Sequence, residues 1–557
     1  MKRSSSESKR CGARIGLVPV GCVGLMLAVA AWSSAGATTA AAEVSPPTRP
    51  NIVVILVDDM GFSDLGCTGG EIPTPHLDTL AAEGLTFTRF CNTGRCCPTR
   101  ASLLTGLYPH QAGVGYMTDD EGLPGYRGRL GGDCVTIAES LRDAGYFTCM
   151  AGKWHVGQNH GVAPWNRGFL RSLNPASGGF YQAGSPRYEL SLDGAAIAAH
   201  DSRLSPNWYS TDLWTEFGLR FIDDARAVRK PFFLYLAHNA PHFPLQAPAE
   251  AIERFRATYA AGWDALAARR FERQVAAGLF TGNETPAGRP AGVAAWDQVP
   301  EAERQRFAHL MATYAATVHL MDRSVGTLVT GLRDRGLLDD TLILFLSDNG
   351  GNAESGPAGR TVGDPTKPDS SWFCGESWAW LQNTPLRRFK HYAHEGGIAT
   401  PLIAHWPRGI AARGERRRRP GHVIDILPTC LEVAGAAVPA TREGVAVQPL
   451  EGRSLVPAFH AETGALRRLF WEHEGNAAVS DGDTKLVRLG RDGPWELYDL
   501  VADRTESHDL AAARPEKVRE LTAAWEQWAE RVHAVPMPDR RKTKPRTPRP
   551  PSARPAP

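Results

Sequence analysis

Asn51-Ile52-Val53-Val54-Ile55-Leu56-Val57-Asp58-Asp59-Met60-Gly61 is the stretch that decides the architecture. Seven residues, mostly β-branched and apolar, read as a strand buried on both faces, the pattern of a parallel sheet. The strand ends on two adjacent carboxylates. Open α/β sheets hold their ligands outside the carboxyl ends of their strands, and paired carboxylates there are costly unless something positive meets them. The same Asp-before-Gly pattern also suits a turn or a helix cap. Three further runs repeat the design. Tyr146 to Ala151 runs into Gly152-Lys153-Trp154-His155-Val156-Gly157. Pro231 to Ala237 runs into His238-Asn239-Ala240-Pro241-His242. Thr341 to Leu346 runs into Ser347-Asp348-Asn349-Gly350-Gly351. Between them stand helical patterns at 76–84 and 136–145, a largely helical stretch from 248 to 322, and a long amphipathic pattern from 304 to 335 that reads as broken by turns.

A different kind of site is spelled by Cys91-Asn92-Thr93-Gly94-Arg95-Cys96-Cys97-Pro98-Thr99-Arg100-Ala101-Ser102-Leu103-Leu104-Thr105-Gly106. Leu85 to Phe90 reads as a strand that delivers it. The stretch then reads as a loop entering a helix, with Pro98 in the first turn, where a missing N–H costs nothing. A helix N-terminus has unpaired N–H groups and partial positive charge, so it attracts anions. Cys96 would lie at its mouth and Arg100 one turn further on. A nucleophile beside an anion hole is the minimum for attack on a charged ester. A buried Cys pair ahead of a core helix is the alternative.

The string from Cys96 to Gly106, Cys-x-Pro-x-Arg-x-x-x-Leu-Thr-Gly, resembles the signature of the sulfatase family, and Gly152 to Gly157 is similar to that family's second signature. The resemblance spans about Pro50 to Val535. It implies an α/β fold of the alkaline-phosphatase-like kind: a large mixed, mostly parallel sheet sandwiched by helices, with a smaller C-terminal α+β subdomain carrying an antiparallel sheet. It implies hydrolysis of sulfate monoesters, with Cys96 converted to Cα-formylglycine by a formylglycine-generating enzyme. It further implies Asp58, Asp59, Asp348 and Asn349, with an oxygen from residue 96, as ligands of one metal ion. Oxygen ligands without His or thiolate favour Ca²⁺ or Mg²⁺ over Zn²⁺, and the family most often uses Ca²⁺. By the same resemblance Lys153 and His155 bind the sulfate group and the aldehyde hydrate, and Arg100 holds the formylglycine. His242 protonates the leaving group, with His238 a lesser candidate. Lys390, ahead of His394-Glu395-Gly396-Gly397, binds sulfate. Arg387 and Arg388 read as substrate-side or solvated, and His394 as a loop histidine.

The rest of the chain bounds these readings. It has 557 residues and net charge +2, so no global electrostatic argument points to nucleic acid or to a membrane surface. Lys2, Arg3, Lys9, Arg10 and Arg14 precede an apolar stretch and then small residues, the pattern of a secretory signal over 1–42. The expected product is exported, periplasmic or extracellular, without stable membrane insertion. The catalytic domain is expected over 48–435 and the C-terminal subdomain over 436–536, with strands at 470–473, 484–487 and 495–499 and a helix from 515 to 535. The basic, Pro-rich tail 537–557 is expected to be disordered. Arg413 to Pro420 reads as a charged linker or an attractor of anionic polymers. Of ten cysteines, two fall in the signal, and the other eight are too few for a disulfide scaffold in a chain this long. Trp165, Tyr181, Trp372 and Trp378 could stack on substrate rings or pack. Two other functions fit fewer residues: a phosphonate or phosphate ester hydrolase of the same superfamily, and a non-catalytic binder of sulfated glycans with Cys96 unconverted.

Overall fold

Residues on one face of Asn51–Val57 and those on the other belong to different cores. Val53, Ile55 and Val57 pack into one buried cluster, and Ile52, Val54 and Leu56 into a second across the sheet. Each such side chain contributes about 1.5–3 kcal/mol on burial, so the central strand is held from both sides. The computed structural model describes residues 49–534, except 176–178, 187 and 463–465. The segments expected as signal (1–42) and tail (537–557) lie outside the described residues.

The main sheet has eleven strands. In spatial order they are Glu415–Arg417, Leu85–Cys91, Ala399–His405, Thr341–Ser347, Asn51–Val57, Phe232–Ala237, Phe147–Gly152, Arg171–Pro175, Leu190–Leu192 and Ala195–Ala196, and Gly421–His422 also pairs with Leu85–Cys91. Asn51–Val57 runs parallel to both its neighbours, Phe232–Ala237 and Thr341–Ser347. Ala399–His405 is antiparallel to both of its own. The sheet is therefore mixed and mostly parallel, as the resemblance implied. Register matters more than order: Val57 lies opposite Ser347, Leu56 opposite Ala237, and Gly152 opposite Ala237. Four strands thus stop at one level, and the residues that follow them emerge at one edge.

Two sequence expectations are corrected here. The amphipathic pattern read as broken by turns is one 34-residue helix, Glu301–Asp334. Gly326 does not interrupt it, because the His76 ring occupies the space, 2.5 Å from where a Cβ would be. The run Arg413 to Pro420 is no linker: Glu415–Arg417 adds a parallel edge strand beside Leu85–Phe87. Charged residues suit an edge strand, where they discourage further pairing.

The C-terminal part is a four-stranded antiparallel sheet, Arg468–His473, Asn476–Asp481, Thr484–Arg488 and Trp495–Asp499. The helix Pro515–Arg531 covers it with Leu521, Trp525 and Trp528. Asn476–Asp481 went unread in the sequence because its Asn-Ala-Ala-Val-Ser-Asp composition carries little strand signal. Trp471 Nε1 donates to the Asn92 carbonyl at 2.8 Å, tying this sheet to the loop that leads to Cys96.

Candidate active site

The shared register of the parallel strands gathers the site. Asp58 follows one strand, Asp348 the next, Lys153 a third and His238-Asn239-Ala240-Pro241-His242 a fourth. Backbone bonds fix the levels: Asp348 N–H donates to the Val57 carbonyl at 3.0 Å and Lys153 N–H to the Ala237 carbonyl at 2.7 Å. Facing this edge is the N-terminus of the helix Cys96–Thr105, buried along its whole length, with Cys96 as its first residue. Cys96 Sγ lies 3.6 Å from His155 Nδ1. Hydrogen bonding from Cys97 outweighs burial there and, with Lys153 and His155, holds the Cys96 thiol well below its ordinary range.

The basic residues stand on the carboxylates. Lys153 Nζ is 2.5 Å from Asp58 Oδ2, and Lys390 Nζ is 2.7 Å from Asp59 Oδ1 and 3.2 Å from Glu354 Oε2. Burial alone would discharge both lysines, yet Asp58 keeps Lys153, and Asp59 keeps Lys390, above the ordinary ammonium range. Arg100 donates to Asp348 Oδ2 from Nε at 3.1 Å and Nη2 at 2.8 Å, and to the Lys153 carbonyl at 2.8 Å. Its hydrogen bonds therefore go to Asp348 and the Lys153 backbone. His242 Nδ1 donates to the Phe243 carbonyl at 2.6 Å, which leaves Nε2 toward Asp59 Oδ2 at 3.6 Å. Burial lowers both His242 and His155 below an ordinary imidazole, against the pull of Asp59 and Asp58 at His242 and with the help of Lys153 at His155. His238 is fully buried with neither ring nitrogen hydrogen-bonded, and burial lowers it to about 3.

The acidic group fits a hard cation. Asp58, Asp59, Asp348 and Asn349 are all buried, and Asp58 Oδ1 and Asn349 Oδ1 are buried acceptors with no hydrogen-bond partner. Asn349 Nδ2 donates to Asp59 Oδ1 at 2.7 Å, so its oxygen is turned away from that bond. Burial, and then the Asp58 charge, pushes Asp348 well above the usual carboxylate range despite Arg100. Orphaned oxygens in a carboxylate-rich, sulfur-free set are what Ca²⁺ or Mg²⁺ satisfies.

Sequence reasoning missed three neighbours. Asn352 Nδ2 donates to Asp59 Oδ2 and to Glu354 Oε2, both at 2.8 Å. Glu354 also pairs with Arg95 and with His391. Nothing in the Gly-Gly-Asn-Ala-Glu string marks these roles, and Arg95 had only its place before Cys96. The contacts narrow the other readings, and His394 is a loop residue at the N-cap of Glu395–Ile398, as its sequence suggested. Arg387 is half-buried and turned to the C-terminal sheet, where it pairs with Glu496 at 2.6 Å and Tyr498 at 2.7 Å. His394 is buried and sits 3.4 Å from Glu496. Tyr181, Trp372 and Trp378 are buried packing residues, and only Trp165 of the four proposed aromatics is exposed. All eight described cysteines are free thiols.

Comparison with known proteins gives the same picture. The sulfatase family matches residues 50–436, and the family of N-sulphoglucosamine sulphohydrolase C-terminal regions matches residues 387–532. The arylsulfatase of Klebsiella aerogenes is 33% identical over 438 residues, covering 74% of this chain and 93% of that protein. Human arylsulfatase A is 29% identical over 532 residues, covering 86% and 88%. The solved structure of Ps i-CgsB in complex with k-i-k-neocarrahexaose superposes with a TM-score of 0.64 at 26% identity, covering 86% of this chain and 93% of the other.

Proposed function

The chain belongs to the sulfatase family of sulfate ester hydrolases, and from that premise we propose that Cys96, converted to Cα-formylglycine by a formylglycine-generating enzyme, carries the reaction beside one Ca²⁺ ion. The observation that supports this reading is the convergence of Asp58, Asp348, Lys153 and His242, from four aligned strand ends, on the helix N-terminus that bears Cys96. Asp58, Asp59, Asp348 and Asn349 would hold the ion, which supplies positive charge toward the sulfate oxygens. Hydrated formylglycine, were Cys96 so converted, would supply two hydroxyls, one to take the sulfuryl group as the alcohol leaves and one to let inorganic sulfate depart.

The chain's own residues do the remaining work. Lys153 and Lys390 are cationic, buried and held on separate carboxylates, Asp58 and Asp59, so an entering sulfate meets preorganised ammonium groups. Arg100 fixes Asp348, the acceptor for the hydroxyl proton. His242, with Nδ1–H committed to the Phe243 carbonyl, turns Nε2 toward the departing alcohol oxygen and would act as its acid in the imidazolium form, with the Nε2 proton facing Asp59 until the alcohol leaves. His155, next to Cys96 Sγ, is placed to take the proton of the second hydroxyl. The ammonium groups of Lys153 and Lys390 stand on Asp58 and Asp59, which supports one metal ion rather than the two of a phosphatase.

Aryl sulfates and sulfated carbohydrates are the substrate classes we propose, and export through the 1–42 signal is the proposed route to them. Among the described residues no helix is long and apolar enough to cross a membrane. Peptide mass spectrometry on the Cys96 fragment from a host with a formylglycine-generating enzyme tests the reading. A mass about 18 Da below the thiol form marks the aldehyde. Sulfate release from aryl and sugar esters should accompany it. An unmodified Cys96 in fully active enzyme would overturn the mechanism.

A further inference from the structure

The hairpin between Arg468–His473 and Asn476–Asp481 turns at Glu474-Gly475, with φ of +53° and +85°. A two-residue turn with both residues left-handed is the I′ type, which favours Asn, Asp or Gly at its first position. Glu474 is thus an expensive choice there. His391, across from it, is also left-handed at φ +83°. Strain kept in two facing residues points to a role for their side chains.

Those side chains meet a third. His473 is buried, 3% exposed, and its Nδ1 lies 3.4 Å from the Gly115 carbonyl. Donation there places the ring proton on Nδ1 and leaves Nε2 as a lone pair with no partner. That nitrogen lies 4.0 Å from Glu474 Oε2. On the other side His391 Nδ1 is 2.8 Å from the same oxygen. His391 Nε2 is 3.0 Å from Glu354 Oε1, the carboxylate–histidine pairing that commonly backs a metal ligand. All three ligand atoms fall within 4.8 Å of one another.

We propose that His391, His473 and Glu474 form a second metal site, distinct from the carboxylate cluster, that takes Zn²⁺ or a similar borderline divalent ion. Tetrahedral bonds of about 2.0–2.1 Å set ligand atoms roughly 3.3–3.4 Å apart. The two distances to Glu474 Oε2, 2.8 and 4.0 Å, bracket that spacing, and the two ring nitrogens lie within 4.8 Å of each other, so side-chain adjustments assemble the site. Two imidazoles and one carboxylate suit Zn²⁺ and not Ca²⁺ or Mg²⁺, so the two sites select different ions. Arg95 Nη1 lies against both ring nitrogens of His391 and opposes a cation, so it must yield Nε2 to Glu354 when a metal binds, while Glu354 and Glu474 offset its charge. Glu354 also holds Lys390. A metal here therefore staples the C-terminal hairpin to the turn that carries Lys390. This inference does not depend on the fate of Cys96.

The test uses the full-length chain as Cys96→Ala, so that Cys96, Cys97 and His155 do not compete for a soft ion, with Ca²⁺ in excess. Co²⁺ is the probe. One equivalent should bind with intense visible bands, be displaced by Zn²⁺, and raise Tm. Glu474→Asn keeps a residue at ease with positive φ and should lose more affinity than the about 10–100-fold typical of outer-shell changes. Glu354→Gln should fall within that range. Absence of stoichiometric Co²⁺ binding overturns the proposal, as does binding that survives undiminished in both Glu474→Asn and His473→Ala.

Discussion

Two buried groups of charges stand on either side of the His394-Glu395 turn, and they are built to opposite ends. On the C-terminal side Lys485 Nζ bonds Glu395 Oε1 at 2.9 Å and Glu506 Oε1 at 2.8 Å, while Arg504 reaches Glu395 Oε2 at 3.4 Å. Lys485, Glu395 and Glu506 are nearly inaccessible, and the Glu395 N–H closes the group on Glu506 Oε2 at 2.9 Å. The charges answer one another within the fold, and the polar atoms there without a hydrogen bond are one acceptor, Glu506 Oε1, met by the Lys485 charge alone, and one donor, Arg504 Nη2. On the catalytic side Lys153, Lys390 and Arg100 also meet carboxylates, but two acceptor oxygens, Asp58 Oδ1 and Asn349 Oδ1, are left over. In the first network one acceptor and one donor remain beside charges that answer one another, and it fixes two sheets together. In the second only acceptors remain among these groups, a place for a cation and, through its lysines, for an anion. Buried unpaired polar groups are costly, and two acceptors left among three carboxylates are a cost that a cation removes.

Substitutions can break that contrast. Cys96→Ala should have the largest effect on turnover, a loss of at least about 10⁴-fold in kcat/KM, with Tm unmoved; retention of sulfate release would sink the proposed nucleophile. Lys485→Met should cost about 3–5 kcal/mol of stability by stranding Glu395 and Glu506, read by urea denaturation, with kcat changed far less than in any catalytic-side variant. Lys390→Met should do the reverse. It should lower kcat by roughly 10²–10³-fold and cost little stability once Ca²⁺ is present, because the ion then balances Asp59. Chelation should lower the stability of the wild type, with re-addition of Ca²⁺ restoring about 2.7 kcal/mol at a hundredfold excess over Kd; a Tm indifferent to chelator would contradict the reading of the orphaned oxygens.

Acid provides the finest distinction. Against the opposing effect of burial, Lys485 and Arg504 hold Glu395 down at about 2, below its ordinary 4.5. A depressed carboxylate contributes stability that is fully present above pH 4.5 and is lost as pH falls from there toward 2. Wild type should therefore lose stability across that window, and Lys485→Met should show a flatter profile over it.

Much of the site could be read from the chain because strand ends are local features. Asp58-Asp59, Asp348-Asn349, Lys153 and His242 each follow an apolar run, and each run is a strand of the main sheet. Arg95, Asn352 and Glu354 also lie a few residues past strand ends, but in strings that carry no motif, so their service to His391, Asp59 and Lys390 had no local sign. The Arg413 to Pro420 run misled for a related reason. Its charge suggested solvent, and only the vacant edge beside Leu85–Phe87 makes Glu415–Arg417 a strand.

Sequence alone determined the elements and the chemistry at their ends, because hydrophobic period, helix-start residues and short motifs act over a few residues. Tertiary structure decided which ends meet, that Asp58 and Asn349 each keep an unpartnered oxygen, and that Glu395 is locked by residues about 90 to 110 positions away. Those outcomes depend on register and on competition among distant charges for the same partners, and neither quantity exists until the chain has closed on itself.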